Sequence, residues 1–176
     1  ELDNVAVTAG QDITLADITA NKLTYTPVAA GVGSPYTTFT FQVLDNGGTS
    51  NGGVALDQSA NTMTINVAPT PTITTTSTNP VICFGTASAN ITYTGTTGTP
   101  KPDRYSIDFV SGIPDVVDGV FDGAVGGTIS VTGLAAIAAG TYNGTLTVRN
   151  SANGIVSAGT AVSIVINPLP GVGMAV

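Results

Sequence analysis

The sequence predicts an all-β protein made of two sandwich-type modules in series, and three observations support this. Apolar and polar residues alternate with period two through most of the chain, as they do in strands with one buried face. Gly- and Asn-rich turns separate these stretches. The segment from Ala68 to Pro71 divides the strands into two runs, because proline fixes φ and removes a backbone donor.

The first module is predicted to span residues 1–69 and to contain strands within residues 37–45 and 62–67. The alternation predicts that six apolar side chains of these strands face inward: Phe39, Phe41, Val43, Met63, Ile65 and Val67. A short helical turn is expected near residues 15–20.

The second module is predicted to span residues 70–168, with residues 169–176 as a linker or the start of a next unit. Its alternating stretches predict inward-facing apolar residues on at least five strands, among them Ile91, Tyr93, Ile107, Phe109, Ile129, Val131, Leu146, Val148, Ile164 and Ile166. A second short helical turn is expected at residues 134–139, ended by Gly140.

The composition predicts an extracellular location and excludes several classes of partner. Charged residues make up only 9% of the chain, so Thr, Ser, Asn and Gly supply the polar surface, as is typical of secreted proteins. The net charge is −7 with four cationic residues, which excludes the basic stripe that nucleic acid requires. No apolar run approaches the ~20 residues needed to span a bilayer, so membrane insertion is not expected.

The side-chain inventory predicts that the chain is not an enzyme. It contains no His, and its lone cysteine, Cys83, has no imidazole to activate it. A single cysteine also allows no disulfide within the chain, and we expect Cys83 to be a small buried apolar residue.

Calcium is the cofactor for which the sequence offers candidate ligands. Asp45 and Asp57 flank the Gly-rich loop of the first module, while Asp115, Asp118 and Asp122 lie in a predicted loop of the second. Calcium takes carboxylate and carbonyl oxygens from such loops, although neither set has the regular spacing of an EF-hand. The alternative interpretation is that these aspartates are solvated turn residues.

Residues 4–67 resemble a bacterial cadherin-like repeat. The matching segments are Ala16–Ile18, Lys22–Pro27, Phe39–Asp45, Gly47–Gly48, Asn51–Gly53 and Leu56–Asp57. The resemblance implies an incomplete cadherin-like β-sandwich, because it covers only the later part of such a repeat and lacks the opening strands. The acidic linker that often binds calcium between cadherin modules is replaced here by Pro-bearing residues.

Residues 71–170 resemble the PKD-like or immunoglobulin-like repeats of giant surface proteins in gliding bacteria. The matching segments are Asn79–Thr86, Ala89–Thr94, Arg104–Phe109, Gly140–Asn150 and Ile166–Pro170. The resemblance implies tandem immunoglobulin-like (Greek-key) β-sandwiches, and Tyr142 is predicted to form the tyrosine corner of such a fold. Many relatives have a second cysteine that could pair with the first, and this chain lacks it.

The two resemblances together imply a structural or adhesive segment of a large bacterial surface or filamentous protein. Its partners would be neighbouring modules of the same polypeptide or identical subunits, with surface glycans or other cells as adhesion targets. Two alternatives remain open. One is a fibre subunit that polymerises by strand donation, with residues 162–176 as the donor. The other is an accessory or carbohydrate-binding module of a secreted hydrolase.

Overall fold

A computed structural model describes residues 1–171, apart from the side chain of Asn51. The regular structure is almost entirely β, which confirms the predicted fold class. The chain divides into two compact units, Glu1–Val67 and Ala68–Val176, whereas the sequence placed the boundary after residue 69. No helix in the described part of the chain is long and apolar enough to cross a bilayer.

Unit 1 contains one two-stranded antiparallel sheet. Its elements in chain order are helix α1 (Leu15–Thr19), strand β1 (Gly33–Phe41), a 3-10 turn (Ser50–Gly52) and strand β2 (Asn61–Val67). Phe39 of β1 lies opposite Met63 of β2. Helix α1 begins after Thr14, whose hydroxyl oxygen accepts a hydrogen bond from the Asp17 N–H at 3.1 Å. This N-cap explains why the predicted helical turn forms.

Unit 1 has no buried residue among those whose side chains the structure describes. Phe39 and Met63 share one face of the β1–β2 sheet, as the alternation predicts, yet they are 44% and 46% exposed. The prediction that these side chains would be covered is wrong for this unit. The reason is geometric, since one sheet of two strands has no second sheet to pack against.

Unit 2 is an immunoglobulin-like sandwich of two sheets. Its strands are β3 (Thr72–Ser77), β4 (Val81–Cys83), β5 (Ser88–Thr97), β6 (Arg104–Phe109), β7 (Val116–Val120), β8 (Gly127–Thr132), β9 (Gly140–Arg149) and β10 (Thr160–Asn167). The three-stranded sheet has the order β3-β5-β8, and the five-stranded sheet has the order β4-β10-β9-β6-β7. Most consecutive strands therefore lie in different sheets, as in a Greek-key sandwich, whereas β6 and β7, and β9 and β10, pair within the five-stranded sheet.

The core of unit 2 lies between the two sheets. Ile91 and Ile129 enter it from the three-stranded sheet, and Ile107, Leu146 and Ile164 from the five-stranded sheet, all with 1% exposure or less. They belong to one continuous cluster of buried residues. Burial of each side chain of this size stabilises the folded state by about 1.5–3 kcal/mol. The alternation in the sequence therefore predicts the residues that contribute most to the stability of unit 2.

Tyr142 forms the predicted tyrosine corner. It lies near the start of β9, and its hydroxyl donates a 2.8 Å hydrogen bond to the carbonyl oxygen of Ala138. The preceding residues 134–139 contain a hydrogen-bonded turn, in which the Ile137 N–H donates to the Leu134 carbonyl at 3.0 Å, and no regular helix forms where the short helical turn was predicted. Leu134 is buried at the start of this turn, and the Ala138 carbonyl near its end accepts the Tyr142 hydrogen bond.

Cys83 is an exposed free thiol, which corrects the prediction that it would be buried. It is the last residue of β4, whose neighbouring residue Ile82 packs against the core instead. Because alternate side chains of a strand point to opposite faces, inward placement of Ile82 turns Cys83 outward.

The Tyr142→Phe variant tests the contribution of the tyrosine corner. Loss of one hydrogen bond without loss of the ring should lower the free energy of unfolding by about 1 kcal/mol. Equilibrium urea denaturation of the full chain, followed by circular dichroism, measures the change. Val117→Ala is the control, because Val117 is 80% exposed and should change stability by less than about 0.5 kcal/mol. Equal stability of Tyr142→Phe and wild type would contradict the assignment.

Candidate functional site

Asp45 and Asp57 lie on two antiparallel segments between β1 and β2, with Asp45 opposite Ala55 and Asp57 opposite Val43. They flank an isolated antiparallel bridge between Leu44 and Leu56. The Asp45 N–H donates to the Ala55 carbonyl at 2.9 Å, which fixes the pairing at this position. The structure therefore places this predicted pair of calcium ligands on neighbouring segments, on opposite sides of the bridge.

Each of these two carboxylates also closes its own local turn. Asp45 Oδ1 accepts a 2.8 Å hydrogen bond from the Gly47 N–H. Asp57 accepts hydrogen bonds from the Ser59 N–H at 3.1 Å and the Asn61 amide at 2.6 Å. These donors, the Ser59 N–H foremost, hold the pKa of Asp57 below its ordinary value. Both residues thus perform the turn-capping role that was the alternative to calcium binding.

Asp115, Asp118 and Asp122 occupy three different local settings. Asp118 lies within strand β7 with φ of +58°, so the prediction of a loop is wrong at that residue. Asp115 Oδ1 accepts a 2.8 Å hydrogen bond from the Phe109 N–H, and Asp122 Oδ1 accepts one of 2.9 Å from the Ala124 N–H. The carboxylates are thereby directed towards separate backbone donors.

Asp118 joins two arginines that face each other across neighbouring strands. Arg104 of β6 lies opposite Arg149 of β9. Asp118 Oδ1 lies 2.6 Å from Arg149 Nη2, and its Oδ2 lies 3.9 Å from Arg104 Nε. Sequence reasoning missed this cluster, although Arg104 and Arg149 are two of only four cations in the chain. The pairing offsets like-charge repulsion between the arginines and competes with a bound cation for Asp118.

No group of three or more His, Cys, Asp or Glu in residues 1–171 is placed so that it could hold a metal ion. Calcium binding by the five aspartates stays a prediction of the sequence.

Asp103, outside the predicted set, has an extensive hydrogen-bond network. It precedes β6. Its carboxylate accepts hydrogen bonds from the Ser151 hydroxyl at 2.6 Å and from the Ser151 N–H at 2.8 Å. Its own N–H donates to the Arg149 carbonyl at 3.1 Å. These contacts tie the start of β6 to the turn after β9. The Ser151 hydroxyl is the main cause of the lowered pKa of Asp103.

The first and last parts of unit 2 are joined by a set of contacts that we call the terminal clamp, formed by residues 78–84 and 163–167. Within it, β4 pairs in parallel with β10, with Val81 opposite Val165 and Ile82 opposite Ile166. Three further backbone hydrogen bonds extend the pairing: Ser163 N–H to Thr78 O at 2.9 Å, Val165 N–H to Pro80 O at 3.0 Å, and Phe84 N–H to Asn167 O at 2.8 Å.

The terminal clamp includes part of the predicted strand donor, residues 162–176. Residues 162–167 belong to β10, which lies between β4 and β9 inside the five-stranded sheet. Val162, Ile164 and Ile166 are buried in the core. Donation of this strand would therefore open unit 2, and residues 172–176 lie outside the described part of the chain.

Unit 1 presents a groove, which we call the unit 1 groove. Its lining includes Phe39, Phe41, Met63 and Ile65 of the β1–β2 sheet, together with residues 6–15 and part of α1. Its volume is ≈ 1870 Å³. An open groove lined by large apolar side chains is a feature of binding surfaces.

Comparison with known proteins gives no family assignment. No family model matches the chain, and no curated protein matches it. Among solved structures, CopC from Methylosinus trichosporium is 13% identical, covers 58% of this chain and 100% of its own, and has a TM-score of 0.37. A complex of titin with an obscurin-like 1 immunoglobulin domain is 19% identical, covers 59% and 98%, and has a TM-score of 0.32. The strand order and the buried core of unit 2 identify it as an immunoglobulin-like sandwich.

The Asp103–Ser151 contact predicts a specific pH dependence of stability. A carboxylate whose pKa is lower in the folded state than in the unfolded state stabilises the fold when it is ionised. This stabilisation is complete above the unfolded-state pKa of about 3.9. It is lost as the pH falls through the lower pKa of the folded state. The difference in unfolding free energy between wild type and Asp103→Asn should be largest above about pH 4 and shrink below it. Ser151→Ala should show a similar trend, and a difference independent of pH would contradict the contact.

The calcium prediction is tested by melting the full chain in calcium and in chelator. A site at Asp45 and Asp57 should raise the Tm in calcium, because a ligand that binds only the folded state stabilises it. The rise should disappear in the Asp57→Asn variant. An unchanged Tm of the wild-type protein would dismiss the site.

Proposed function

We propose that the chain is a structural segment of a large bacterial cell-surface or extracellular filamentous protein, acting as a spacer or in adhesion. The observation that carries this proposal is the terminal clamp. It holds the strand near the beginning of unit 2 in parallel register with the strand at its end. A module with this arrangement is suited to transmit tension along a polypeptide.

The direction of the clamp strands determines how they would bear force. In a parallel pair, a force that separates the start of β4 from the end of β10 acts along the strands and loads their hydrogen bonds together. In an antiparallel hairpin pulled at its open end, the bonds break one after another. Each bond contributes only about 1 kcal/mol at equilibrium, yet bonds loaded in shear must fail together.

The outward faces of unit 2 support an extracellular role. The exposed side of the three-stranded sheet carries mainly hydroxyl groups, and Thr76 and Thr92 form a cross-strand contact of 2.8 Å between their hydroxyl oxygens. Charges are sparse on the whole chain. This chemistry gives an uncharged, hydrated surface without the basic character that intracellular nucleic-acid binders need.

The proposal includes the finer assignments suggested by sequence resemblance. Residues 1–69 would be a cadherin-like module and residues 70–168 a PKD-like module, without enzymatic activity. Their partners would be neighbouring modules of the same polypeptide or identical subunits, and the adhesion targets would be surface glycans or other cells. The support is the pair of quoted sequence patterns together with the sandwich of unit 2.

Single-molecule stretching of the full chain from its two ends tests the tensile role. Phe84→Pro removes the N–H that donates to the Asn167 carbonyl, so the rupture force of unit 2 should fall. The matched control is Val117→Pro in β7, which lies at the other edge of the same sheet and outside the terminal clamp. Its rupture force should stay close to that of wild type.

Equilibrium denaturation of both variants separates force resistance from stability. The proposal predicts a larger loss of force for Phe84→Pro than for Val117→Pro even where the two variants lose similar free energy of unfolding. Equal rupture forces for Phe84→Pro and wild type would overturn the tensile role of the clamp.

A further inference from the structure

The outer face of the five-stranded sheet carries charges that the proposed function leaves without a role. Ile107 and Phe109 of β6 are buried in the core, so the alternate residues of that strand point outward. Residues paired directly across an antiparallel sheet share a face, and their partners on β9 therefore point outward as well. We call this surface the β6–β9 face, and it consists of Arg104, Ser106, Asp108, Thr145, Thr147 and Arg149.

The positive end of the β6–β9 face contains an arginine without a close partner. Arg149 donates both of its hydrogen bonds to Asp118 Oδ1, at 2.6 and 3.0 Å. Arg104 Nε lies 3.9 Å from Asp118 Oδ2, and within residues 1–171 its side chain donates no hydrogen bond. Because a guanidinium has five N–H donors, Arg104 can bind a further carboxylate.

The negative end of the β6–β9 face is Asp108, four residues along β6 from Arg104. Asp108 is exposed, and its carboxylate has neither a hydrogen bond nor an ion pair in the described part of the chain. At roughly 3.4 Å per residue, the two charged residues lie about 14 Å apart along the strand. Ser106 and Thr147 lie between them, and their short side chains leave the middle of the face open to close approach.

Exposed valines flank the positive end of the face. Val120 of β7 is paired with Arg104 and is 75% exposed, while Val156 forms a bridge with Arg149 and is 49% exposed. Apolar side chains beside arginine are typical of protein interfaces. The three-stranded sheet differs, since β3, β5 and β8 contain no charged residue. The β6–β9 face is therefore the side of the sandwich with the composition of a protein-binding surface.

We propose that the β6–β9 face binds the same face of a second copy of this chain. A two-fold axis that lies between the copies and crosses β6 at Ser106, perpendicular to the strand, places Arg104 of each copy opposite the partner's Asp108. The arginine thereby gains the carboxylate that it lacks. A second copy fits because the unmatched cation and the unmatched anion lie two residues on either side of Ser106. This contact specifies how identical subunits meet, and it does not depend on the tensile role of unit 2.

The size of the sheet predicts a weak dimer. Five strands about 4.8 Å apart make a face roughly 24 Å wide, and about six residues per strand make it roughly 20 Å long. The area is about 480 Å² per copy, below the ~800 Å² per partner of a standard interface. The net charge of −7 on each copy also opposes association. Self-association is therefore expected only at high protein concentration.

Charge reversal at the two positions tests the pairing in the full chain. Arg104→Glu alone places two carboxylates opposite each other at both contacts, and Asp108→Lys alone places two cations there. Sedimentation equilibrium at up to about 1 mM protein should show association of each variant at least about tenfold weaker than that of wild type. An equimolar mixture of the two variants should regain the wild-type association, because each contact then joins a cation and a carboxylate.

The mixture separates a lost contact from a lost fold, and circular dichroism checks that each variant is folded. Asn90→Lys is the control, because Asn90 is exposed on the three-stranded sheet and its replacement adds a cation away from the β6–β9 face. It should associate as wild type does.

Three results would overturn the proposal. The first is a wild-type chain that stays monomeric up to about 1 mM. The second is a mixture that associates no better than its two components. The third is a loss of association in Asn90→Lys equal to that in Asp108→Lys. Stretching of single molecules does not involve a dimer, so this contact and the terminal clamp can fail independently.

Discussion

The packing of the three-stranded sheet against the five-stranded sheet is the interaction on which the rest of unit 2 depends. Ile91 and Ile129 from one sheet meet Ile107, Leu146 and Ile164 from the other, and water is excluded from between them. Burial of these side chains fixes which face of every strand points inward. The terminal clamp and the tyrosine corner then add hydrogen bonds at the margins of a core that already exists.

In unit 1 the β1–β2 sheet has no second sheet to pack against, and its apolar side chains are therefore exposed. Its alternating residues form the β1–β2 sheet in the expected register, but Phe39 and Met63 remain accessible to solvent. Surface that stabilises unit 2 internally is available in unit 1 for binding.

Period-two alternation was sufficient to predict the all-β class and buried positions such as Ile91 and Ile164. Tyr142 as the tyrosine corner was predicted from the resemblance to immunoglobulin-like repeats. Alternation could not show how strands pair across long separations. The parallel contact of β4 with β10 and the cluster around Asp118 both depend on such pairing. Cys83 was misassigned for a related reason, because a three-residue strand gives too short a pattern to tell one face from the other.

Native-state hydrogen exchange of the full chain tests this account most directly, because it measures the opening free energy of each strand separately. The account predicts that amides of β5 and β9 exchange only through global unfolding of unit 2. Amides of β2 should exchange much faster, since no buried core protects them. Protection of β2 equal to that of β5 would contradict the account, because it would show that unit 1 has a stable core of its own.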